Sequence, residues 1–138
     1  MSNPRDKYGV DRAAERRGKP VVVDDMTFTV RSASSANVAY RYALSQAASP
    51  RREEMVNGGV RGMELLDEAQ IEAFADAVVL GWEGVTNGDG HALAFTRENC
   101  VQLLTDCPVI WDAVRDAALD TSRFRPVVQE DGEHLGKS

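Results

Sequence analysis

A chain of 138 residues with 43% apolar side chains is long enough for one domain around one modest core. Its 22 acidic and 16 basic residues leave a formal net charge of −6, which repels nucleic acid and anionic membrane surfaces wherever the charge is not segregated. No apolar run approaches the ~20 residues that span a bilayer, and two Cys with two His fall short of a zinc or disulfide framework. A soluble protein of a reducing cytoplasm, with no cofactor and no bound metal, is the expectation.

Residues 1–19 hold six bases and three acids, so the head is +3 and the remainder −9. Polar, charged and interrupted by Pro4, Gly9 and Gly18, this stretch has little apolar surface to offset ordering and is expected to be a flexible basic arm. The β-branched run Val21, Val22, Val23 and the alternation of Met26, Phe28 and Val30 with Thr27, Thr29 and Arg31 predict a hairpin turning at Asp24 and Asp25. Ser34 or Ser35 is the expected cap of a helix through Ala48, halted by Pro50. A short helical piece over 51–55 then runs into Asn57, Gly58, Gly59 and Gly62, which predict a flexible linker over 57–66.

Asp67, with Gln70 three residues on, resembles a capping box and marks the expected start of the strongest helix. Its apolar stripe is Ile71, Phe74, Ala75, Val78 and Trp82, its wet side Glu68, Glu72 and Asp76, and Gly81 and Gly84 are its expected end. Asn87, Gly88, Asp89 and Gly90 predict a polar turn. Thr96 caps the next helix, Glu98 lies in its first turn, and Cys100, Val101, Leu103, Leu104 and Cys107 mark it. Cys100 and Cys107, seven apart along that helix, read as reduced core thiols. Pro108 ends that helix and opens another whose apolar side is Ile110, Trp111, Val114, Ala117 and Ala118. The polar residues 125–138 are expected to form a flexible tail. The predicted fold is mainly α: one helical domain over 20–124 with a small N-terminal β-hairpin and flexible termini.

Catalytic signals are thin. Asn87, Asp89, His91 and Glu98 fall on positions 1, 3, 5 and 12 of a calcium-loop template, but Ala92 stands where the bend needs glycine. His91 beside Asp89 lacks a Ser or Cys in a nucleophile setting, and a connecting turn explains the acids Glu83, Asp89 and Glu98 without glycoside chemistry. Residues 58–62 lack the spacing and the lysine of a phosphate-binding loop. No catalytic residue and no enzymatic activity are therefore expected. Tyr40, Tyr42, Arg41, Arg51 and Arg52 form an aromatic and basic group suited to stacking on nucleic acid, although the acidic remainder argues against it. Trp82 and Trp111 suit either a sealed core or a partner-binding patch.

The sequence Gly81-Trp82-Glu83-Gly84-Val85, the Asn87 to Gly90 turn, Phe95-Thr96-Arg97-Glu98-Asn99 and Leu103-Leu104 before Pro108 resembles the tail assembly chaperones of long-tailed bacteriophages. Ala94 stands where that pattern carries proline. The resemblance implies a non-enzymatic protein of the host cytoplasm that coats the tape measure protein and helps recruit tail tube protein. It implies no nucleic-acid or membrane partner and leaves homo-oligomerisation open. A structural virion component, such as a minor tail or head–tail connector subunit, is the alternative. The apolar helical face expected to meet the partner is Phe74, Val78, Trp82, Trp111 and Val114.

Overall fold

A computed structural model describes residues 3–126. The chain order is α1 (Pro4–Tyr8), α2 (Arg12–Arg17), β1 (Lys19–Val23), β2 (Met26–Val30), α3 (Val38–Ala48), α4 (Arg52–Asn57), α5 (Val60–Ala77), β3 (Val79–Glu83), α6 (Arg97–Asp106) and α7 (Pro108–Leu119). Mainly α is the class observed, with a small antiparallel sheet ordered β1-β2-β3. One face of that sheet packs toward the helices, and Phe28 and Val30 are fully buried there.

The hairpin forms where the period-2 pattern places it, with Val23 opposite Met26. Asp24 takes φ 54° in the turn, a left-handed conformation that a short polar side chain tolerates better than a bulky one. Beyond the hairpin, Asn37 rather than Ser34 or Ser35 caps α3, its side chain accepting from the Tyr40 N–H. The serines are used differently. The Ser34 hydroxyl pairs with that of Ser32 and accepts from the Ala36 N–H, building the turn that delivers Asn37.

The expected linker over 57–66 is a corner instead. Gly59, at φ +58°, turns the chain from α4 into α5, which therefore begins at Val60 and leaves Asp67 inside the helix, where it caps nothing. Gly62 remains helical because α4 crosses it closely: a Cβ there would lie 2.5 Å from the Met55 carbonyl oxygen. The ~1 kcal/mol by which glycine weakens a helix relative to alanine is offset by that backbone approach.

The other end of α5 also departs from periodicity. The helix stops at Ala77, and Val79–Glu83 pairs with β2 as a third strand, placing Trp82 opposite Phe28. Helical spacing had put Trp82 on the same stripe as Phe74. The β-branched pair Val78 and Val79, with Gly81 following, weakens helix continuation, and the open edge of β2 supplies the hydrogen bonds that make an extended chain preferable.

Over its described part the head carries two short helices. Asn3 and Asp11 cap α1 and α2, and the buried Glu15 carboxylate accepts from Arg31 Nε and Nη2 and from the Ser32 N–H. One fixed ion pair and the buried Ala14 supply the anchoring that composition does not reveal. Of the expected tail, residues 127–138 lie outside the described residues; before them, the helical turn Thr121–Phe124 ends on a buried Phe124.

Candidate functional site

The five side chains expected to form a partner-binding face are mostly interior. Phe74, Val78, Trp111 and Val114 are buried and Trp82 is half-buried. Two aromatic chains organise them. Tyr40, Phe74 and Trp111 meet edge to face, with centroids 5.4 and 4.7 Å apart, while Phe28, Trp82 and Phe95 do the same at 6.1 and 5.0 Å. The first chain ties α3, α5 and α7 together, and the second ties the sheet to the loop before α6. As folded, these residues hold the domain together.

The loop from Gly84 to Thr96 is likewise architectural. Asn87 Oδ1 accepts from the N–H groups of Asp89 and His91, and the Asn87 N–H donates to the His91 carbonyl. Thr86 and Ala92 form a bridge beneath the turn, and Trp82 Nε1 donates to the Leu93 carbonyl at 2.8 Å. The Asn87 oxygen is therefore committed to backbone donors instead of facing a cation. Glu98 lies in the first turn of α6, where Thr96 accepts from the Asn99 N–H as the cap. Among the described residues no group of three or more His, Cys, Asp or Glu is placed to hold a metal ion.

The basic and aromatic group over residues 40–52 is divided between the core, an ion pair and solvent. Tyr40 points into the core, where burial pushes its phenol pKa up. Arg51 donates to both Glu72 oxygens at 3.1 and 2.6 Å and to the Ala47 carbonyl, which leaves Tyr42 exposed without it. Asp76 holds Arg97 in a similar fork. Cys100 is wholly buried, and burial, aided by the negative field of Asp76, pushes its thiol up to about 12. A thiol held neutral in this way is a poor nucleophile at physiological pH. Cys107 is half-buried and is the junction residue between α6 and α7, not part of one long helix.

The surface feature that best suits a partner lies at the α4–α5 corner. Val56, Val60 and Met63 are 77%, 79% and 67% exposed within eight residues of sequence. Large apolar side chains exposed so close together are candidates for a contact patch. Composition hid them, because the glycines between them read as a flexible linker. Helical spacing could not have found them, because the chain turns at Gly58 and Gly59 between Val56 and Val60. Among the described residues no helix is long and apolar enough to cross a membrane.

A family model described as YdaY prophage protein matches residues 33–134, about three quarters of the chain. The match takes in α3 to α7 and β3 while leaving out the head and the hairpin. Comparison with curated proteins and with solved structures gives no match.

Proposed function

We propose that this chain, which belongs to the YdaY prophage protein family and is phage-derived, acts as a tail assembly chaperone. In this role it shields apolar helices of the tape measure protein in the host cytoplasm and helps bring tail tube protein to it, without catalysing a reaction. The observation that carries the reading is the exposed apolar corner of Val56, Val60 and Met63 on a protein of net charge −6. Burial of apolar area contributes about 25 cal/mol per Å², so such a patch supplies attraction. The net charge keeps the resulting complex from aggregating.

Co-expression with the tape measure protein of the same prophage tests this directly. The chaperone reading expects a higher soluble yield of that protein and its co-purification. Both gains should shrink in a Val56→Ser, Val60→Ser, Met63→Ser variant whose melting temperature is preserved. An unchanged yield with the parent protein sinks the proposal. Mass spectrometry of purified particles separates the alternative, since a minor tail or connector subunit stays in the finished virion and a chaperone leaves it.

A further inference from the structure

We propose that the recess enclosed by the N-terminal helices, residues 34–36 and residues 121–125 is a binding site for a phosphate group. Its volume is about 300 Å³, and Lys7, Arg12 and Arg125 line it together with the hydroxyl residues Ser34, Ser35 and Thr121. Among the described residues no carboxylate lines it. This concentration of cations stands out on a chain whose residues beyond the head carry −9.

Lys7 and Arg12 come from the head and Arg125 from the far end of the sequence, and the fold holds the two segments together. The Asp11 N–H donates to the Phe124 carbonyl at 2.8 Å, tying the head to the wall that carries Thr121 and Arg125. The Ala33 N–H donates to the Ala118 carbonyl at 2.9 Å, tying the serine turn to the end of α7. Bonds to Ser32 and to the Ala36 N–H fix the Ser34 hydroxyl. The recess is thus built before any ligand arrives, which lowers the ordering cost of binding.

Among the described residues the acids near the recess bond to other donors, although Asp120 lies close enough to feel the charge of Arg125. Asp11 accepts from the Ala14 N–H as the cap of α2, and Asp120 accepts from the Ser122 N–H and hydroxyl. Asp6 lies on α1 beside Lys7 but outside the recess. Among the described residues, Lys7, Arg12 and Arg125 take part in none of the ion pairs. A phosphate offers a charge near −2 and several strong acceptors in a small volume, which matches converging guanidinium and hydroxyl donors better than a single carboxylate does. The exposed Tyr8 ring, which also lines the recess, lies under the Lys7 ammonium, 5.4 Å from the ring centroid.

Titration of the full-length protein with inorganic phosphate, followed by amide NMR, tests the site. The expected result is saturable shifts at Ser35, Ala36 and Thr121, and affinity reduced by about tenfold or more in Arg12→Gln and in Arg125→Gln, as removal of a charge-assisted hydrogen bond predicts. Both arginines are exposed, so unchanged melting temperatures should show that the fold survives. Adenosine monophosphate binding more tightly than phosphate assigns the site to nucleotide phosphate, and equal affinity assigns it to free phosphate; either outcome supports the recess. Absence of saturable shifts, equal binding of acetate, or undiminished affinity in either arginine variant overturns the proposal. None of these results bears on the tape measure experiment, so the two can fail separately.

Discussion

Asn37 and Ala77, forty residues apart in sequence, are joined by a hydrogen bond of 2.9 Å from Asn37 Nδ2 to the Ala77 carbonyl. The same amide donates to the Ser32 carbonyl, and its oxygen caps α3 through the Tyr40 N–H. One wholly buried side chain therefore closes the start of α3, the end of β2 and the end of α5. Asn37→Ala should cost roughly 2–4 kcal/mol, combining a lost cap with carbonyls left short of a donor. Asn37→Ser should recover part of this by restoring only the cap. Urea denaturation of the three proteins reads the difference, and equal losses in both variants would refute the double role.

Glu15 should behave as the fastening of the head. Its carboxylate is buried, while Arg31 keeps partial contact with solvent. Glu15→Ala is expected to cost about 3 kcal/mol, near the low end for breaking a buried ion pair because Arg31 can rehydrate. Limited proteolysis should then cut within α1 and α2 before it reaches the core. Resistance equal to that of the parent protein would show that other contacts hold the head.

The two tryptophans should respond differently to the same change. Trp82 Nε1 has a partner in the Leu93 carbonyl, whereas buried Trp111 Nε1 has none among the described residues. Trp82→Phe should lose about 1–2 kcal/mol for the hydrogen bond and altered packing. Trp111→Phe removes an unpaired donor while keeping a ring against Phe74, so its loss should be smaller. Thermal unfolding ranks them, and the reverse order would contradict the geometry.

Cys100 gives a prediction for alkaline pH. Its folded pKa is raised from an ordinary 9.0 to about 12, so below pH 9 both folded and unfolded thiols stay protonated and stability is unaffected. Above pH 9 the unfolded chain releases this proton while the folded chain retains it. Stability should then fall with rising pH, by up to about 1.4 kcal/mol per unit, until the folded thiol titrates. Cys100→Ala should flatten that portion of the profile relative to the parent protein. In thiol labelling at pH 8, half-buried Cys107 should react first.

Features with local causes are legible in the order of residues alone. The alternation around Phe28 gave the hairpin, Thr96 and Pro108 set the starts of α6 and α7, and the spacing from Ile110 to Ala118 gave the buried side of α7. Each follows from backbone preference or from a periodicity within a few residues. That Val79–Glu83 is a strand follows from long-range packing, because β2 supplies its hydrogen-bonding edge from some fifty residues away. The same holds for the start of α5, where Gly62 meets the Met55 carbonyl, and for the head, which Glu15 fastens to Arg31. The exposed corner and the cationic recess belong to this second class. Charge and apolar character are visible in a sequence, but which side chains face the same space depends on the packing of distant segments.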